Sequence, residues 1–326
     1  MSPTLSLIDF CHIYPGETAR DSMRRSVDMA QRAERLGFHR IWYAEHHNMP
    51  HIASSAPAVL IAHVGAHTES IRLGSGGVML PNHSPYVIAE QYGTLAELYP
   101  DRIDLGLGRA PGTDQNTLGR ALRRSPNAAE HFPQDIMELE GYLAGHSRIP
   151  GVDAIPGRGT NVPLYILGSS LYGASLAAQL GLPYAFASHF APTHLEQAVA
   201  TYRENFRPSE KLAEPYVIAA VNVVASDTTA DALRQLEGIY RQRVRAMAGR
   251  GRPLSDDQLD RIIESPQGRQ IIDMLRYTAV GNGEQVRDYL DGFTRSAGAD
   301  ELMISLQGTS TAETNRSMEI LAAASQ

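Results

Sequence analysis

A single cysteine, Cys11, stands in the 326 residues of this chain. It excludes an intramolecular disulfide and any cysteine-cluster metal site. Long apolar runs are also missing. None reaches the roughly 18 residues that would span a bilayer, so no membrane partner is expected. The N-terminus lacks a basic region followed by an apolar core, so no signal peptide is expected and a soluble, cytoplasmic protein is. Basic runs are short, Arg24-Arg25 and Arg123-Arg124. With 29 basic and 36 acidic residues the net charge is −7, which favours solubility and argues against a nucleic-acid partner. There is no low-complexity tract.

What is present is 43% hydrophobic and 20% charged residues, enough for a large buried core. α/β barrels commonly reach this length as one domain, so residues 1–326 are read as a single domain. Short apolar runs alternate with helical stretches along the whole chain. Candidate strands lie at 5–9, 40–43, 71–74, 103–107, 164–168, 184–187, 216–224 and 301–305. Runs such as LYIL and YAFA lack clean polar alternation, as expected of a parallel sheet covered on both faces. The helix expected at 21–36 carries Met23, Val27, Ala30, Ala33 and Leu36 at three- and four-residue intervals, one buried stripe. Gly37 follows as its C-terminal cap. Further helices are expected at 58–67, 86–98, 133–143, 171–180, 194–206, 230–246, 284–296 and 312–324. Eight βα units point to an α/β fold closed as one (β/α)8 TIM barrel, although an open doubly wound sheet has the same local pattern. Two stretches interrupt the alternation, 108–132 after the fourth strand and 249–280 after the seventh. Insertions after strands fall on the active-site face of a barrel, and 249–280 is a candidate lid.

The chemically informative residues sit where strands end. Glu45-His46-His47 places two imidazoles beside a carboxylate. Neighbouring side chains there point in different directions, so one histidine, His46, is the candidate acid or base. Gly74-Ser75-Gly76-Gly77 lets a flat group approach the backbone, and the apolar Val78 beyond it suits an aromatic ring. Arg109, in a glycine-rich loop, has the forked donors that suit a phosphate. Ser169-Ser170 leads into a helix whose N-terminus favours an anion. Alone, each could be a surface ion pair or an ordinary cap; together they form a monophosphate site. The triphosphate and dinucleotide fingerprints are absent.

These motifs, AEHHN, LGSGGVMLPNHSP, RIDLGLGRAPGTD, LGSSLYGASLAAQLGLP and AFASHFAP, resemble the luciferase-like flavin-dependent monooxygenases over about residues 5–306. The resemblance implies a (β/α)8 barrel that uses reduced FMN supplied by a separate flavin reductase, and a homodimer. It implies that oxygen adds at the flavin C4a position to give a peroxide, which oxidises an aldehyde, a carbonyl or another small organic molecule. By motif, His46 is the implied catalytic residue and Glu45 its acidic neighbour, setting its pKa near neutral. Gly76-Gly77 is the implied non-proline cis peptide against the flavin ring, and Arg109 and Ser170 implied phosphate ligands. Ser169, Gly173 and Val78 complete the expected cofactor site, with no metal. Phe10, Cys11 and His12 are expected on the substrate side.

Two departures matter. Gly108 stands where the light-emitting members carry a reactive cysteine, which argues against light emission. Gly173 stands where they carry a hydroxyl, which leaves room for a deazaflavin. A non-catalytic flavin-binding protein is a further alternative. A serine hydrolase is disfavoured because Gly-Ser-Ser-Leu-Tyr-Gly lacks the Gly-x-Ser-x-Gly turn. A metal hydrolase is disfavoured because Glu45-His46-His47 lacks His-Glu-x-x-His spacing.

Overall fold

A computed structural model describes residues 3–249 and 254–325. Among the described residues nine parallel strands form one sheet: β1 (Thr4–Asp9), β2 (Arg40–Tyr43), β3 (Arg72–Met79), β4 (Ile103–Gly108), β5 (Leu164–Gly168), β6 (Tyr184–Phe186), β7 (Val217–Ala225), β8 (Thr278–Gly281) and β9 (Glu301–Leu306). The order β6-β5-β4-β3-β2-β1-β9-β7 closes through a β6–β7 pairing, giving the expected (β/α)8 barrel. β8 is a ninth strand, at the end of the expected 249–280 insertion, that the strand pattern of the sequence does not predict. β6 pairs through Tyr184, Ala185 and Phe186 with Val217, Ile218 and Ala219 of β7, and β8 pairs with Asn222 to Ala225 further along β7. β8 therefore continues the barrel wall where the short β6 ends.

The helices are α1 (Ala19–Arg35), α2 (Pro57–Gly65), α3 (Pro85–Leu98), α4 (Phe132–Ala144), α5 (Leu171–Leu180), α6 (Leu195–Asn205), α7 (Thr229–Gly249), α8 (Asp256–Glu264), α9 (Pro266–Asp273), α10 (Gly283–Ala297) and α11 (Thr311–Ala324). In α1 the Thr18 and Asp21 side chains cap reciprocally, which satisfies donors at the first turn. Gly37, at φ +82°, follows its end as expected. The expected stripe on α1 needs one correction: Met23 is 39% exposed, and Ser22 and Ser26 are buried instead. They turn inward because they have partners there. The Ser22 hydroxyl donates to the His12 carbonyl at 3.0 Å, and Ser26 bonds Asp9 and Cys11.

The expected insertions after β4 and β7 are both present. After β4 the chain holds only short helical turns at Thr117–Ala121 and Ala128–Glu130. After β7, α7, α8 and α9 bury Val244, Leu259 and Ile271 in a small core of their own; positions 250–253 lie outside the described residues. A third interruption, 145–163, was not anticipated. It crosses from α4 to β5 and packs Gly157 directly on Gly93 of α3.

Inside the barrel, alternate residues of each strand face the axis. The layer nearest the strand starts is polar. Arg40 donates to Asp104 at 2.8 Å, to Tyr165 at 2.7 Å and to Glu301 at 3.1 Å. Arg72 pairs with the other Asp104 oxygen at 2.5 Å. Above it lie Ile8, Trp42, Ile218 and Met303. Trp42 fits because Gly74 faces it; a Cβ there would lie 2.7 Å from the indole. The same alternation then places Gly76 and Gly108 one step higher, where the interior opens.

Candidate active site

A cavity of about 320 Å³ opens at the C-terminal ends of the strands, with Ile8, Trp42 and Met303 as its floor. One wall is backbone. The β3–β4 register shifts between Ser75 and Val78, a bulge of the kind that re-aims a strand beside a site. The Gly76–Gly77 peptide within it is cis. A Cβ on Gly77 would sit 2.6 Å from the Gly106 carbonyl oxygen, so this shelf packs backbone on backbone with no room for a side chain. Past the bulge the facing reverses. Val78, expected to touch a cofactor, pairs with Leu107 and is 1% exposed in the outer core; it does not line the cavity. Gly108 does line it, beside Met79.

The second wall combines a guanidinium with the start of a helix. Arg109, Ser169, Ser170 and Gly173 all line the cavity. Ser170 precedes α5 with extended backbone, and its side chain makes no capping bond. The N–H groups of the first helical turn are thus left without a side-chain cap, at the positive end of the helix dipole. Tyr184 donates to the Ser170 carbonyl at 3.2 Å, which fixes the turn, and its ring comes within 3.4 Å of a Cβ placed on Gly173. The exposed Arg109 guanidinium stacks over Tyr172 at 4.1 Å, and no carboxylate pairs with it among the described residues. Arg124 steadies this loop, donating to Asn82 at 3.0 Å and to the Arg109 carbonyl at 3.3 Å.

The third wall carries imidazoles. His46 lines the cavity, and its Nδ1 is buried without a hydrogen-bond partner. Burial pushes its pKa below the ordinary histidine value, and the opposing charge of Glu45 only partly offsets this. The expected Glu45–His46 partnership is therefore corrected. Glu45 accepts from His47 at 2.9 Å, from His83 at 2.8 Å and from the Met79 N–H at 3.1 Å. Burial alone would raise its pKa, but the His47 and His83 hydrogen bonds, the His83 charge and the Met79 N–H outweigh that and bring it to about 2. Glu45 does not line the cavity; it clasps the end of β2 to the end of β3. His47 points away with it.

Of the residues after β1, Phe10 lines the cavity, whereas Cys11 is buried between Asp9 and Ser26. Ser188-His189-Phe190 lies within the AFASHFAP motif, which by itself assigns these residues no role. His189 lines the cavity, and neither ring nitrogen has a partner. Its carbonyl accepts from Asn222 Nδ2 at 2.7 Å, and Asn222 also accepts from Gln307 at 3.0 Å. No local sequence signal links these three positions.

Fold and site together define a (β/α)8-barrel protein whose cavity sets a bare backbone shelf beside a guanidinium and an uncapped helix start. Within that class the chain belongs to the luciferase-like monooxygenase family, a family of oxidoreductases, whose model matches residues 5–301. It is 45% identical over 304 residues to a luciferase-like monooxygenase of Escherichia coli (strain K12), covering 93% of this chain and 91% of that one. The crystal structure of apo-MsnO8 matches with a TM-score of 0.88 at 34% identity, over 99% of this chain and 98% of that one. Two more distant structures share the fold alone. One is the oxygenating constituent of 3,6-diketocamphane monooxygenase from Pseudomonas putida in complex with FMN, with a TM-score of 0.75 at 15% identity over 98% and 97% of the two chains. The other is an F420-dependent secondary alcohol dehydrogenase, with a TM-score of 0.69 at 15% identity over the full length of both. Among the described residues, no helix is long and apolar enough to cross a membrane and no metal-binding cluster occurs.

Proposed function

We propose that this chain is a flavin-dependent monooxygenase that uses reduced FMN and O2 to oxidise a small aldehyde or other carbonyl-type substrate. One observation carries the reading: a single cavity unites the Gly76–Gly77 shelf, the Arg109–Ser170 cradle and the His46 imidazole. The residues fit the cofactor. The shelf admits a flat ring because no Cβ intrudes, and the uncapped start of α5 with Arg109 suits one phosphate. Reduced flavin, when bound, supplies the electrons that activate dioxygen, one atom of which enters the substrate. Arg109, Ser169, Ser170 and the first turn of α5 would hold the phosphate, and Gly76 and Gly77 would lie against the ring. Ile8, Phe10 and Trp42 keep water from the reacting centre. His46 stays neutral at neutral pH because burial disfavours its charged form, so it can accept a proton there and return it. The 249–280 insertion serves as the lid. A separate reductase as the FMN supplier and a homodimer complete the proposal.

A deazaflavin-dependent oxidoreductase is the second reading. It is favoured by Gly173, which leaves the cradle one hydroxyl short, and by the fold shared with the F420-dependent dehydrogenase. The test titrates the purified chain with reduced FMN, oxidised FMN and a deazaflavin. It then follows oxygen uptake with a flavin reductase and an aldehyde panel. Tightest binding of reduced FMN with substrate-dependent oxygen uptake is expected. Preference for the deazaflavin, or flavin binding without substrate consumption, would sink the proposal.

A further inference from the structure

His189 is a buried residue of the cavity wall with no part in the shelf, the phosphate wall or the proton transfer given to His46. It lines the cavity and is 7% exposed. Packing fixes its ring, whose centroid lies 5.7 Å from that of Phe10 and 4.9 Å from that of Phe190, the latter edge-on. Hydrogen bonds fix its backbone. The Asn222 amide, fully buried on β7, donates to the His189 carbonyl at 2.7 Å and to the Tyr277 carbonyl at 3.3 Å, and Gln307 donates to the Asn222 oxygen at 3.0 Å. The adjacent Ser188 hydroxyl donates to the Ala220 carbonyl.

The ring itself is held in place yet bonded to nothing. Both its nitrogens are buried without a partner among the described residues. A neutral imidazole carries one N–H donor and one acceptor, and leaving buried polar atoms unpaired is unfavourable. The missing partner therefore comes from what fills the cavity. Burial holds the ring neutral, with its pKa down at about 3. Phe10, Ala185, Phe190, Ile218 and Ala220 line the same cavity and are apolar. This stretch of wall suits an uncharged oxygen on an apolar body. Phe10 also packs 5.8 Å from His46, so the two imidazoles share one end of the cavity.

We propose that His189 is a substrate-binding residue whose ring N–H donates a hydrogen bond to the carbonyl oxygen of the organic substrate and so fixes the orientation of the carbonyl carbon. This rests on the carbonyl-substrate reading above and divides the work of the two imidazoles. His46 exchanges a proton. His189 keeps its own and steadies the negative charge that gathers on the oxygen as the carbon is attacked.

Trp42, the only tryptophan of the chain, lines the cavity and reports binding without turnover. The test titrates the full chain, free of flavin, with cyclohexanone and with cyclohexane, which has a similar shape and no acceptor, and follows Trp42 fluorescence. Isotope-edited infrared spectra of the bound ketone are recorded in parallel. His189→Phe should weaken cyclohexanone roughly three- to tenfold relative to cyclohexane, the scale of one neutral hydrogen bond. It should also raise the C=O stretching frequency of the bound ketone. His189→Gln, which keeps N–H donors, should restore most of both effects. His189→Leu stands in if His189→Phe does not fold. An unchanged affinity ratio, an unmoved C=O frequency, no cyclohexanone binding, or a frequency that moves in His46→Ala and not in His189→Phe would each overturn the assignment. A His189-dependent shift in a chain that binds no FMN would keep the assignment and sink the flavin reading. FMN binding with oxygen uptake but no such shift would sink the assignment alone.

Discussion

Replacing Arg109 with alanine should weaken FMN selectively, and the size of the effect follows from the site. A hydrogen bond to a charged group contributes about 1.5–3 kcal/mol when sheltered, but exposed ion pairs contribute about 0.2–1 kcal/mol. Arg109 is exposed, yet its guanidinium is held 4.1 Å over the Tyr172 ring and its loop is tied down by Arg124. Preorganisation of this kind places it between those limits. A loss of about 1–2 kcal/mol corresponds to a roughly 5- to 30-fold rise in Kd. The assay is a fluorescence titration of wild type and Arg109→Ala with reduced FMN and, in parallel, with reduced riboflavin, which has the same ring and no phosphate. Riboflavin affinity should not change. The FMN difference should shrink in high salt, because the contact is partly open to screening. Unchanged FMN affinity, or an equal loss for both ligands, would refute the assignment of this wall to the phosphate.

The other predictions concern the remaining walls and the floor. His46→Ala, assayed for product at saturating reduced FMN, should lower turnover about a hundredfold or more, the scale of general acid–base catalysis; unchanged turnover removes the role. Gly77→Ala should abolish flavin binding and cost about 1–3 kcal/mol in urea unfolding, because its Cβ would meet the Gly106 carbonyl at 2.6 Å. Arg40→Met leaves Asp104 its Arg72 partner but strips Glu301 of its cation, leaving it the Ser6 and Tyr216 hydroxyls. The expected cost is about 3–5 kcal/mol, and a loss below about 1 kcal/mol would contradict the reading of this layer as an interdependent network. Stability should also fall in mild acid. Burial lowers His12 to about 4 and His189 to about 3 from an ordinary 6.5. Between those values the unfolded chain binds more protons, so this stability is complete above about 6.5 and is lost as pH drops toward 4. Glu45, lowered to about 2, adds a further loss below 4.5. His12→Phe should flatten the upper part of this profile in denaturation measured from pH 7 to 4.

The sequence alone determined the alternation of strands and helices, their approximate limits and the strand-end segments that carry chemistry, because these depend on local periodicity and on glycine, proline and cap chemistry. It also pointed to Arg109 and Ser170, since a guanidinium and a helix start each announce an anion site by residue type. Tertiary structure decided the rest. Val78 turned into the core because the β3 bulge reversed the facing of the strand, and one residue of register moves a side chain to the opposite face. Glu45 chose His47, His83 and Met79 over its neighbour His46 because Met79 at the end of β3 and His83 in the loop beyond converge on it, and His47, two residues on, turns to the same side. β8 was hidden inside the insertion because a four-residue strand is defined by the edge it joins, here the part of β7 beyond β6. The gathering of His12, His46 and His189 around Phe10 was also invisible in the sequence. The distance between residues so far apart along a chain is set by barrel closure, and no local pattern encodes it.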